Sequence, residues 1–113
     1  MCEKNTLNLI LSQVHSSARE ILGEALNSVV LYGSYARGDY NEESDIDIMV
    51  LADIEPSLIT DFMEKLRDSI YRLEIDNDCV ISLCITPVKR FEKYKSLSPF
   101  YRNVWKEGIS FAG

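Results

Sequence analysis

Apolar residues at Leu7, Ile10, Leu11, Val14, Ala18, Ile21, Leu22 and Ala25 recur every three or four positions, the spacing that lines one face of an α-helix. Gly23 or Asn27 falls near the expected end of that helix. The period then changes. Ser28-Val29-Val30-Leu31-Tyr32 is short, β-branched and closed by Gly33, which predicts a buried strand. Ile46-Asp47-Ile48-Met49-Val50-Leu51 predicts a second. Pro56 suits a first helical turn, and Ile59, Phe62, Met63, Leu66, Ile70 and Leu73 restore the helical stripe behind it. The turn-like Asp76-Asn77-Asp78 precedes a third predicted strand, Cys79 to Ile85. Beyond Pro87, two short helices broken at Ser98-Pro99 account for a polar and aromatic tail.

This order of elements predicts an α+β protein: a two-layer arrangement in which a small sheet is covered by helices mainly on one face. The link between the first two strands is too short for a helical crossover, so the sheet should be mixed or antiparallel. A chain of 113 residues suits one domain, expected over residues 1–113. No apolar run approaches the roughly 20 residues that span a bilayer, so no membrane partner is expected. The N-terminus lacks the pattern of a secretory signal. Cys2, Cys79 and Cys84 show no metal-like spacing, and reduced thiols in a cytoplasmic protein are the plain expectation.

Charge sharpens the picture. The net charge is −6, but residues 1–56 hold 3 Lys/Arg against 10 Asp/Glu, while residues 57–113 hold 9 against 8. An acidic front half argues against a broad nucleic-acid surface and fits a site that gathers divalent cations.

The candidate chemistry lies between the first two strands, in GSYARGDYNEESDID, Gly33 to Asp47. A glycine after a strand lets the backbone turn sharply and lets an anion approach the peptide N–H groups. Ser34-Tyr35-Ala36-Arg37 can form one helical turn whose N–H groups face a phosphate, with the Ser34 hydroxyl as a further donor, Arg37 as a charge and Gly38 as the stop. Asp45 and Asp47 stand at the mouth of the second strand, two apart and therefore on one face. Paired carboxylates there suit one or two Mg²⁺ ions. A phosphate nest beside them is an arrangement for phosphoryl or nucleotidyl transfer. Either element alone reads more readily as a turn or as solvated charge; together they point to a site.

Gly33-Ser34, ten residues from Tyr35 to Ser44, and then Asp45-Ile46-Asp47 resemble the signature of the DNA polymerase β-like nucleotidyltransferase superfamily, in particular its minimal nucleotidyltransferase branch. The resemblance covers nearly the whole chain and implies the palm-like nucleotidyltransferase fold. It implies that Gly33 and Ser34, aided by Arg37, hold the phosphates of ATP or another NTP, and that Asp45 and Asp47 bind Mg²⁺. The product would be a nucleoside monophosphate on a hydroxyl. Minimal members are often paired with a helical HEPN-type ribonuclease and act as antitoxins, some by adding AMP to a tyrosine of the toxin. A protein partner of that kind is therefore expected, with a homo-oligomer also possible and nucleic acid not. Relatives of the kanamycin type carry a further helical substrate domain that this chain lacks, so a free small-molecule acceptor would need a second subunit.

The resemblance also implies a third acid on the later strand, to help activate the acceptor hydroxyl. The closest match puts Val80 at that place. Asp78 lies on the same face by parity, roughly 6–7 Å earlier along an extended chain, and is the candidate third carboxylate; Asp76 and Asp78 also read as a plain polar turn. Losing that acid would impair transfer more than nucleotide binding. The expectation is thus an Mg²⁺-dependent nucleotidyltransferase, adenylylating a protein hydroxyl. Its rival is a non-catalytic nucleotide-binding module that occludes its partner. His15, Tyr35 and Tyr40 read as packing or boundary residues. The cations Lys89, Arg90, Lys93, Lys95, Arg102 and Lys106, facing only Glu92 across residues 87–106, read as solvated helix faces or as a partner surface.

Overall fold

The computed structural model describes residues 4–111, so the expected thiol of Cys2 lies outside the described residues. Helix α1 (Lys4–Leu22) ends where Gly23 takes a positive φ of 58° and opens a short 3₁₀ turn, Gly23–Ala25. Strand β1 (Leu26–Tyr32) leads into the one-turn helix α2 (Ser34–Arg37), and strand β2 (Ile46–Ala52) follows. A 3₁₀ turn at Pro56–Leu58 starts α3 (Ile59–Asn77), which crosses over to β3 (Ile81–Pro87). Helices α4 (Val88–Tyr94) and α5 (Pro99–Glu107) precede a last short strand, β4 (Ile109–Phe111). No helix among the described residues is long and apolar enough to cross a membrane.

The sheet is mixed, as expected, in the order β3-β2-β1-β4. β1 is antiparallel to both β2 and β4, whereas β2 and β3 are parallel because α3 carries the chain back between them. Strand alternation divides the core. Val29, Leu31, Ile46, Ile48, Val50, Ile81 and Ile85 pack against α1 and α3, contributed by Ile10, Val14, Ala18, Leu66 and Ile70. Val30, Met49 and Leu51 point the other way, onto Phe91 of α4 and Val104 of α5. The sheet is therefore covered on both faces, the second less completely, where the apolar pattern predicts cover mainly on one. The tail's apolar residues are too widely spaced for their shared face to be read along the chain.

Three further boundaries differ from the sequence pattern. Helix α3 runs on through Asp76 and Asn77, the expected turn. The Asn77 side-chain amide donates to the Leu73 carbonyl at 2.9 Å, and Asp78 closes the helix in the left-handed region at φ 48°. Consequently β3 begins at Ile81 and not at Cys79. Its start is held by α3, where Glu74 accepts the Ile81 N–H and Arg67 donates to the Ile81 carbonyl, both at 2.9 Å. Strand β4 was not legible, because three residues carry no usable period. It follows Gly108, where a Cβ would strike the Val104 carbonyl and Val30.

Candidate nucleotide and metal site

The site begins at the end of β1. Gly33 takes φ 75° and ψ −155°, a conformation that side chains oppose. A Cβ there would collide with the Asp47 carboxylate, so the glycine lets the phosphate turn and the β2 carboxylate touch. The turn closes on itself: Ala36 and Arg37 donate to the Gly33 carbonyl at 3.1 Å, and Gly38 donates to Ser34 at 2.8 Å. Those bonds use the amides of the later residues. The half-buried Ser34, with its hydroxyl, stands at the open end. Gly38 then leaves the turn in the left-handed region, at φ 86°.

Residues 39–45 return the chain to β2. The Asn41 side chain accepts the Glu43 N–H at 2.8 Å, and the Ser44 hydroxyl accepts the Asn41 N–H at 2.9 Å. This compact Asx-type turn delivers Asp45 to the strand mouth. Asp45 is exposed and Asp47 half-buried. Burial, and then the charge of Asp45, push the Asp47 carboxyl above its ordinary value, while a hydrogen bond from Ser82 and the charge of Arg37 oppose the shift. A carboxylate whose proton affinity is raised by burial and by a neighbouring carboxylate is one that a divalent cation would relieve. The donor set is hard oxygen throughout, with Asp45, Asp47 and the Ser82 hydroxyl together, and it fits Mg²⁺. Among the described residues no group of three or more His, Cys, Asp or Glu side chains forms a closed metal cage. A cation held by the two aspartates would draw its remaining ligands from substrate phosphates and water, as Mg²⁺ commonly does.

Arg37 is brought to the site but is engaged. Its guanidinium pairs with Asp39 at 3.2 Å and with Glu107, at the end of α5, at 3.3 Å. Hydrogen bonds to Asp39 and then Glu107 hold it more firmly protonated than usual. Below Asp47, Tyr32 stands opposite it on β1, with its hydroxyl 3.9 Å from the Cys84 sulfur. Burial is the first cause that raises both the Tyr32 phenol and the Cys84 thiol, so both stay neutral.

Asp78 does not sit on a strand, and the parity reading that placed it on the metal face fails: the αL residue at the end of α3 breaks the alternation. It is exposed and lines a recess of about 190 Å³ together with Asp45, Glu43, Val80 and Tyr35. The structure therefore brings Asp78 to Asp45's recess, while the side chain beside Asp47 is Ser82. Val80, the position matched to a third acid, gives its carbonyl to the Ile46 N–H at 2.9 Å and exposes its side chain. Ser82 was missed. It shares the parity of Val80, but only the pairing of Asp47 with Ser82 in the parallel register singles it out. Tyr35 and Tyr40 stack at 4.3 Å, the packing expected of them, and His15, expected at the boundary, is half-buried and packs edge-on to Phe111 at 5.9 Å.

A glycine turn after the first strand, carboxylates at the mouth of the second and a mixed sheet between helices are the features of a nucleotidyl-transferring class. The chain belongs to the nucleotidyltransferase domain family, whose pattern matches residues 11–108. It is 37% identical over 83 residues to the Methanocaldococcus jannaschii protein named "Putative protein adenylyltransferase MJ0604", a match covering 74% of this chain and 75% of that one. A second protein of that organism, "Putative protein adenylyltransferase MJ0141", is 45% identical over 49 residues, 43% of this chain and half of its own length. Among solved structures, one titled "Structure of putative minimal nucleotidyltransferase" superposes with a TM-score of 0.61 at 22% identity, covering 97% of both chains. Another, titled "Crystal structure of the toxin-antitoxin with AMP-PNP", gives a TM-score of 0.53 at 22% identity, over 88% of this chain and 70% of that one. At these identities the superpositions establish a shared fold.

Proposed function

We propose that this nucleotidyltransferase takes ATP with Mg²⁺ and transfers AMP to a hydroxyl of a protein partner. In this reading it is the antitoxin half of a cytoplasmic toxin–antitoxin pair, and its partner is a helical HEPN-type protein. The observation that carries the reading is the junction of Gly33 with the Asp47 carboxylate, which makes the phosphate turn and the carboxylate pair one site. The names of the adenylyltransferase relatives and of the toxin–antitoxin neighbour support the acceptor and the partner.

Gly33 and Ser34 receive the triphosphate at the open end of the turn, and Arg37 lends positive charge from the side. Asp45 and Asp47 would hold Mg²⁺, which supplies charge neutralisation of the triphosphate and alignment of the attacking and leaving oxygens. The acceptor oxygen bonds to the α-phosphorus, pyrophosphate leaves, and the hydroxyl proton passes to a base or to water. Asp78, which lines the recess together with Asp45, Glu42 and Glu43, is the carboxylate assigned to take that proton in this reading.

One observation favours a second reading. The side chain beside Asp47 on β3 is a serine, which binds well and abstracts protons poorly. A non-catalytic module that occludes its partner would look the same at this strand. Incubation of the protein with a helical HEPN partner, ATP and Mg²⁺, followed by intact-mass analysis, separates the two. One AMP added to the partner supports transfer, and a stable but unmodified complex means occlusion.

A further inference from the structure

We propose that the outward side of α4 and α5 is the docking surface for an acidic, partly apolar segment of the protein that brings the acceptor hydroxyl. The inference deepens the functional reading above and rests on it. The two helices turn Phe91 and Val104 onto the sheet, which leaves Lys93, Arg102 and Lys106 exposed on their outer sides. Among them stand Leu97 at 71% exposure, Trp105 at 51% and Phe100 at 48%. Exposed apolar and aromatic side chains rimmed by polar residues mark protein interaction sites, and here the rim residues are cations.

Two contacts join this surface to the site. Phe100 packs edge-on against Tyr32 at 5.6 Å, and Tyr32 pairs with Asp47 in the β1–β2 register. At the other end of α5, Glu107 holds Arg37 at 3.3 Å. A segment seated on α5 is thus carried to the carboxylates. Charge decides its chemistry. The immediate surroundings of the site, Asp39, Glu42, Glu43 and Asp45, repel an acidic chain, so attraction for one must come from the cationic helices beside them.

The same surface suits single-stranded RNA poorly. Bases stack on open aromatic faces, but the Lys95 ammonium lies over the Trp105 ring at 4.8 Å and that of Lys93 over Tyr94 at 5.3 Å. Phe100 is already committed edgewise to Tyr32 and tilted against Tyr101 at 5.6 Å.

Trp105 is the chain's one tryptophan, so its fluorescence reports the surface directly and without nucleotide. The test titrates the protein with a random glutamate–tyrosine copolymer, a lysine–tyrosine copolymer and oligouridylate, and measures sedimentation of the protein alone. The expected result is a saturable Trp105 change with the acidic copolymer, at least about tenfold tighter than with either other probe and weakening with salt. The pair Lys93→Glu and Arg102→Glu should weaken it on the order of tenfold or more with an unchanged circular-dichroism melt; Lys89→Gln with Arg90→Gln gives a smaller loss if the reversed pair does not fold. Equal binding of the copolymers, no effect of reversal, tighter oligouridylate, or a dimer of the protein alone that the reversal dissolves would each overturn the proposal. Binding of AMP-PNP with Mg²⁺, measured by calorimetry on the same samples, stays intact in the variants, so loss of docking and loss of the nucleotide site are read separately.

Discussion

The β1–β2 hairpin and the α3–β3 junction meet at the same recess, yet they contribute to it in opposite ways. The hairpin is built by short-range constraints: a positive-φ glycine, a one-turn helix, an Asx-type turn and two aspartates two residues apart. The turn and the carboxylate pair lie within 15 residues, Gly33 to Asp47, although Glu107 also holds Arg37 and Ser82 also bonds Asp47. At the junction, placement depends on where a 19-residue helix stops and on how a parallel strand aligns with β2. The hairpin presents two carboxylates and a glycine turn, while the junction brings Ser82 beside Asp47 and Asp78 into the recess that Asp45 lines. Asp45 thus stands on one side of the recess, and Asp78 and Val80 line the other.

The largest effect should come from breaking the hairpin side. Asp45→Asn with Asp47→Asn is expected to lower AMP transfer by about a thousandfold or more and to abolish the Mg²⁺ dependence of AMP-PNP binding in calorimetry. Unchanged metal-dependent binding would sink the site assignment. Gly33→Ala comes next. Its Cβ meets the Asp47 carboxylate at a φ of 75°, so a stability loss of about 1–2 kcal/mol in urea unfolding and roughly tenfold weaker nucleotide binding are expected.

The junction should respond more mildly, which is how the comparison can be sharpened. Asp78→Asn should reduce transfer by about three- to tenfold with little change in nucleotide affinity, since a general base affects the chemical step and not the ground state. Ser82→Asp places a carboxylate beside Asp47. A rise in transfer rate there, with the wild type slow, would show that the serine limits the reaction; a fall would mean that crowding of a third negative charge outweighs the gain.

The smallest effect concerns pH. Because burial and Asp45 raise the Asp47 carboxyl, the folded state holds that proton more tightly than the unfolded chain. Metal-free stability should therefore fall as pH rises through the acidic range above the ordinary value of 3.8. Asp47 is only half-buried, and Ser82 and Arg37 oppose the shift, so Asp47→Asn should raise the metal-free melting temperature at neutral pH by only ~1–3 °C. Mg²⁺, which binds the ionised pair, should restore the wild type and leave the variant unmoved.

Much of this was legible along the chain because it rests on local chemistry. Helical and strand periods located α1, β1, β2 and α3, since a buried face must repeat with the geometry of its own element. Gly33 to Asp47 announced a site because its turn is closed by residues adjacent in sequence. The family pattern followed from the same stretch. Register, helix termination and helix docking depend on distant partners and were not legible. Asp76 and Asn77 look like a turn, but α3 gains a side-chain cap from Asn77 and a left-handed stop at Asp78, and the strand start moves to Ile81. That two-residue delay changes which side chain meets Asp47. The sequence by itself determined the hairpin, its carboxylate pair and the class of chemistry they serve. Only the tertiary structure decided that Ser82 stands beside Asp47, that Asp78 and Asp45 line one recess, and that α4 and α5 cover the second face, because each of these depends on the pairing of surfaces far apart in the chain.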